Sequence, residues 1–201
     1  PLPILTMKIA CLNSNVSRLA KYLVFIFCVI TSCESSLGYW PTNEFPLVVV
    51  TDSNDLKFIQ KIQEAVDWLN SELSSICSKE IFFIFIPELT TKDGLTSFDI
   101  FITKKGITNN KLGKSVLLHR GIYIKHVDIT ISSKTEEENI LLTLKHELLH
   151  SLGIIHSKDE NSILYPRLKN HEVGILDGAG KKELQNKYEA CNENKEEKKN
   201  E

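Results

Sequence analysis

The chain is 201 residues long, 42% apolar and 25% charged, with a formal net charge of −2. This is the ordinary balance of a soluble globular protein, with room for one domain plus a leader and a tail. The charge gives no electrostatic reason to bind nucleic acid or an anionic membrane, and no run of about 20 apolar residues is present to span a bilayer.

The N-terminal stretch reads as an address. The only methionine is Met7, which leaves Pro1 to Thr6 as upstream translation or a fragment edge. Lys8, Arg18 and Lys21 form a basic region ahead of the apolar run Tyr22 to Ile30. That run is too short to span a membrane and has the length of a signal-peptide core. It ends in Ile30-Thr31-Ser32-Cys33, which resembles the lipobox of bacterial lipoproteins. The resemblance implies that Cys33 is acylated and becomes the first residue of a protein anchored to the membrane through its lipid. An ordinary cleavage nearby, or a buried strand, are the other readings of the run. Cys11 and Cys28 would leave with the leader. Cys77 and Cys191 then remain as candidates for a disulfide in an exported protein, although sequence alone does not bring them together. The expected location is the cell envelope, on its periplasmic or surface side, with secretion as the fallback. The expected division is a leader at 1–33, a tether at 34–43, a folded domain at 44–190 and a disordered charged tail at 191–201.

Along the folded part, Phe45 to Thr51 is continuous and β-branched, as suits a strand buried on both faces. Asp52-Ser53-Asn54 offers helix caps. Leu56, Ile59, Ile62, Val66, Leu69 and Leu73 then recur at three- and four-residue steps, the apolar face of a long helix. Ile81 to Ile86 and Phe98 to Ile102 read as further strands. Lys114 to His119 and Ile122 to Ser132 read as an antiparallel pair joined through Arg120-Gly121. Alternation slips near His126, where a bulge would restore register. Thr135-Glu-Glu-Glu138 has the form of a capping box opening a helix that runs to about Leu152. A last short helix is expected around Lys181 to Tyr188. Strand, helix, strand, strand in this order implies a twisted sheet covered by a helix.

The chemistry is concentrated in His146-Glu147-Leu148-Leu149-His150-Ser151-Leu152-Gly153-Ile154-Ile155-His156. On a helix, His146 and His150 project from one face about a turn apart, a spacing that lets both rings reach one zinc ion. Glu147, beside the first of them, is placed to act on a water at the metal. Gly153 can end the helix in a left-handed cap, so the chain turns back and His156 arrives as a third ligand. Three protein ligands leave a position open, the pattern of a catalytic zinc and not of a closed structural one. The full spacing arises by chance in a chain of this length on the order of once in 10⁴ to 10⁵.

This HExxHxxGxxH pattern resembles the metzincin zinc signature. The residues after it, Ser157, Asp159 and Ser162-Ile163-Leu164-Tyr165-Pro166, are similar to the matrixin branch, with Leu164 where the methionine of the Met-turn stands. Gln185 and Tyr188 resemble the matrixin C-terminal helix ending, and Trp40-Pro41 and Ala65 to Asn70 are softer cues. Leu149 replaces a glycine often found before the second histidine. No second His/Asp cluster with structural-zinc spacing and no calcium-loop pattern is seen between Gly106 and Gly121, and His119 and His126 read as surface or sheet histidines.

The resemblance implies an α+β fold. It has a mostly parallel five-stranded sheet with one antiparallel edge strand, an N-terminal helix, an active-site helix and a short C-terminal subdomain. It further implies a zinc endopeptidase with one catalytic ion on His146, His150 and His156. Peptide bonds are hydrolysed through a zinc-activated water with Glu147 as general base and then acid. Leu164, Tyr165 and Pro166 form the pocket floor and wall, with Arg167 beside them. The expected substrate is a protein or peptide lying extended along Lys114 to His119; cell-wall peptides are an alternative substrate class. The protein is expected to be a monomer with no nucleic-acid partner. The short stretch between Cys33 and the first strand leaves no propeptide, so no proteolytic activation is expected. The rival reading is a zinc-containing surface lipoprotein that binds a partner and cleaves weakly or not at all.

Overall fold

A computed structural model of the protein describes residues 38–77, 82–87, 98–108, 111–167 and 175–188. The segment expected to be a leader, Cys33, Ile81, Cys191 and the charged C-terminal stretch lie outside these residues. Five strands form one sheet: β1 (Leu47–Thr51), β2 (Phe83–Ile86), β3 (Ile100–Lys105), β4 (Gly113–Arg120) and β5 (Tyr123–Ser132). Their order is β2-β1-β3-β5-β4. β1 pairs in parallel with β2 and β3, β3 in parallel with β5, and β4 is the antiparallel edge. Among the described residues the α-helices are α1 (Leu56–Ser74), α2 (Glu137–Ser151) and α3 (Gly178–Lys187). This is the α+β arrangement that the resemblance implies.

α1 begins one residue later than the predicted caps. Asp55 is its N-cap, and the carboxylate accepts from the amides of Lys57 and Phe58. Its buried face is Phe58, Ile62, Ala65, Val66, Leu69 and Leu73. Leu56, expected on that face, is 80% exposed, and Ile59 is only half-buried. Phe58 takes the core position in the first turn. Asn70 then ties α1 to β2, donating to the Phe83 carbonyl at 2.9 Å and accepting from the amides of Phe82 and Phe83. α1 packs over β2, α2 packs over β4 and β5, and the two helices pack on one another.

The β4–β5 hairpin turns at Gly121, whose φ of 67° suits glycine. The predicted bulge is present. Leu118 pairs with His126 but His119 pairs with Ile124, so Lys125 is the extra residue. It lets Ile124 and Val127, three apart, both face the core with no exposed surface.

The capping box at Thr135 is not formed. α2 starts at Glu137 with Glu136 as N-cap and no side-chain cap bond. Thr135 is buried and its hydroxyl donates to the Leu112 carbonyl at 3.0 Å. Anchoring the approach to β4 has taken the hydroxyl that would have capped the helix. Cys77 is disulfide-bonded; Cys191, its expected partner, lies outside the described residues. Among the described residues, no helix is long and apolar enough to cross a membrane.

Candidate active site

α2 carries His146, Glu147 and His150. His146 and Glu147 are buried and His150 is half-buried. The helix ends at Ser151, and Gly153 follows with φ 76°, its amide donating to the His150 carbonyl at 2.8 Å. That left-handed residue turns the chain back, and His156, exposed, arrives beside the other two rings. The ring centroids of His156 lie 5.4 Å from His146 and 4.6 Å from His150. One nitrogen from each ring falls within 4.8 Å of the others, the one such group among the described residues.

Backbone carbonyls set the tautomers. His146 Nδ1 meets the Ile163 carbonyl at 2.6 Å, and His150 Nδ1 meets the Ile154 carbonyl at 2.6 Å. A carbonyl only accepts, so each Nδ1 must carry the proton and each Nε2 keeps a bare lone pair. These two Nε2 atoms face one another at 2.9 Å. Two lone pairs at that distance repel, and a cation between them removes the conflict. Protonation would do so only against burial. Burial brings the His146 pKa down to about 4, opposed by the Ile163 carbonyl and helped by His156. Burial and then His146 bring His150 to about 3. His156 is lowered by burial and then by Lys111. The rings are therefore neutral at neutral pH, the state in which imidazole binds a metal, and the donor set fits zinc.

Glu147 points toward β4. Its Oε2 accepts from the Ser115 hydroxyl at 2.5 Å. Burial raises its pKa, while the Ser115 bond and the Lys111 charge oppose the rise. A Cβ on Gly113 would stand 2.7 Å from Glu147 Oε1 and 2.7 Å from Thr143 Cγ2, so glycine leaves the carboxylate its space.

The segment after His156 folds back on itself and meets the start of α3. Ser157 donates its amide to the Leu164 carbonyl at 3.0 Å, and its hydroxyl lies 2.5 Å from Asp177 Oδ2, at the N-cap of α3. Leu164 is fully buried, with its Cδ1 3.0 Å from where a Cβ on Gly180 would lie. Tyr165 is half-buried and its hydroxyl reaches Glu160 at 3.3 Å, while Pro166 and Arg167 are exposed.

Three carbonyls in a row at the end of α2 are taken by side chains from far along the chain. Trp40 Nε1 donates to Ser151 O at 2.8 Å, Tyr188 Oη to Leu152 O at 2.9 Å, and Lys187 Nζ to Gly153 O. Burial pushes the Tyr188 phenol well above its ordinary value, keeping it a donor.

The structure thus brings His146, His150 and His156 together, with Glu147 next to His146 on α2 and Leu164 buried. His126 is held instead between Phe98 and Asp128, and His119 lies against Gly38. Sequence reading missed Ser115, Gly113 and Lys187; no local pattern marks them, because each acts on a partner distant in sequence.

No curated protein matches the chain. The matrixin family profile matches residues 54–189, more than half of its length. Matrixins are zinc-dependent metallopeptidases, and the His146, His150 and His156 cluster fits a zinc site. The chain belongs to the matrixin family.

Proposed function

We propose that the protein is a zinc-dependent endopeptidase in which His146, His150 and His156 hold one catalytic ion and Glu147 is the general base and acid. The observation that carries this reading is the convergence of one nitrogen from each of His146, His150 and His156 within 4.8 Å, two of them Nε2 atoms 2.9 Å apart, with a carboxylate on the residue next to His146. Bound there, zinc supplies a Lewis acid that polarises the scissile carbonyl and makes water acidic near neutral pH. Glu147 takes the proton from the attacking water and returns it to the leaving amine. The buried carbonyls of Ile163 and Ile154 hold the two helix imidazoles in the ligating tautomer throughout.

A peptide substrate pairs with the open edge of β4, adding a strand by main-chain hydrogen bonds. Tyr165, Pro166 and Arg167 wall the pocket for the side chain after the scissile bond. Cys33 carries the lipid that holds the enzyme to the cell envelope. Leu164 is buried, as a residue of the pocket floor must be.

Incubating the purified protein with a mixed peptide library tests the activity. Cleavage is expected, lost on chelation and restored by added zinc. A zinc-loaded protein that leaves every peptide intact would overturn the reading.

A further inference from the structure

Ser115 stands on the edge strand and touches Glu147, and its main chain and side chain point to different tasks. The Ser132 amide donates to the Leu112 carbonyl at 2.8 Å, and the register continues through Gly113↔Ile131 and Ser115↔Ile129. Hydrogen-bonded and non-hydrogen-bonded pairs alternate along an antiparallel ladder. Leu112, Lys114 and Val116 therefore direct their amides and carbonyls at β5. Those of Gly113, Ser115 and Leu117 face outward. The other side of β5 agrees: Val127, an odd-numbered residue, donates to Asp99 at the start of β3. β4 is the last strand in the order, and no described strand pairs with its outer edge.

On the same two residues, the side-chain positions face α2. Ser115 Oγ donates to Glu147 Oε2 at 2.5 Å, and the absent side chain of Gly113 leaves room for Oε1. The hydroxyl also lies 3.2 Å from the Glu147 backbone carbonyl, but its single proton goes to the nearer and charged acceptor. Both oxygens of the carboxylate are thus placed by the strand whose main chain is open to a peptide.

We infer that Ser115 is a positioning residue for Glu147, coupling the seating of substrate on the β4 edge to the orientation of the base. This rests on the peptidase reading of the same site. Gly113 assists by leaving the second oxygen free to approach water.

The test uses the zinc-loaded full chain with Ser115→Ala, Ser115→Thr and Gly113→Ala. Ser115→Ala should lower kcat about 10- to 100-fold, the cost of a misplaced reacting group, with KM changed less than about 2-fold. Ser115→Thr, which keeps the hydroxyl, should recover most of the loss. Gly113→Ala should lower kcat in the same way, because its methyl group displaces Oε1. Zinc content and chelator competition should match the wild type in all three. A readout independent of turnover is the melting temperature: Ser115→Ala should lower it by about 2–4 °C in the wild-type background and not in Glu147→Ala, where the partner is already gone. A kcat within about 2-fold of wild type, or a loss explained by KM or missing zinc, would overturn the inference. A wild type that cleaves nothing overturns the peptidase reading alone, and the melting cycle then still decides whether Ser115 holds Glu147.

Discussion

Trp40 donates its indole N–H to the carbonyl of Ser151 at 2.8 Å, so the segment leading into the first strand caps the helix that carries His146 and His150. The last carbonyls of a helix have no intrahelical donor, and here the next residue begins the turn toward His156. Trp40→Phe keeps most of the buried ring but leaves the Ser151 carbonyl without its donor. A loss of about 1–3 kcal/mol is expected, read as a lower midpoint in denaturant with little change in slope. An unchanged midpoint would show that the bond is replaceable.

Glu147→Gln and His150→Ala should separate chemistry from metal binding. Gln keeps the size and a hydrogen bond to Ser115 but cannot take a proton, so zinc should remain while turnover falls about 10²- to 10⁴-fold. Ala at position 150 removes a ligand, so the zinc itself should be lost. Metal analysis beside peptide cleavage reads both. Wild-type cleavage by metal-loaded Glu147→Gln would remove Glu147 from the mechanism.

The pH dependence of the zinc-free protein follows from the buried rings. Above the unfolded histidine value of about 6.5, the imidazoles are neutral in both states and contribute no difference. As pH falls below it, the unfolded chain binds protons that the folded rings, at about 4 and about 3, refuse. Stability therefore falls between pH 6.5 and roughly 3. Glu147 acts with the opposite sign, since burial favours its protonated form in the folded state; the Glu147→Gln background removes it. The difference between melting curves of that variant with and without His150→Ala should be constant above pH 7 and change in acid, with His150→Ala losing less. Parallel curves would refute the assignment.

Leu164 is buried, with its Cδ1 beside the Gly180 backbone. A leucine-to-methionine exchange in a core usually costs less than about 1.5 kcal/mol, so Leu164→Met should change stability and rate only modestly. Leu164→Ser should loosen the packing beside Ile163, whose carbonyl holds His146, and lower zinc occupancy. If the wild type is inert and Leu164→Met restores cleavage, the natural protein has lost activity at this position.

Acylation at Cys33 predicts that the protein made in a host with lipoprotein processing partitions into detergent and membranes, since two acyl chains give stable attachment. Cys33→Ser should remain unlipidated. Recovery of unmodified wild-type protein wholly in the soluble fraction would refute the anchor.

What the sequence determined by itself was local. His146, Glu147, His150, Gly153 and His156 lie within eleven residues, where helical spacing and one left-handed glycine suffice to converge three rings. The slip in alternation near His126 announced the bulge for the same reason: the period of a strand is visible in a few residues. Tertiary contacts decided the rest. Leu56 fits the apolar period of α1, yet the tertiary packing leaves it exposed and buries Phe58. Thr135 has the form of a cap until the Leu112 carbonyl takes its hydroxyl. The lone-pair conflict between His146 and His150 depends on the carbonyls of Ile154 and Ile163, and the orientation of Glu147 on Ser115, 32 residues away. A hydrogen bond is specified by where its two ends are brought, and for ends so far apart only the packing of α2 on β4 brings them together.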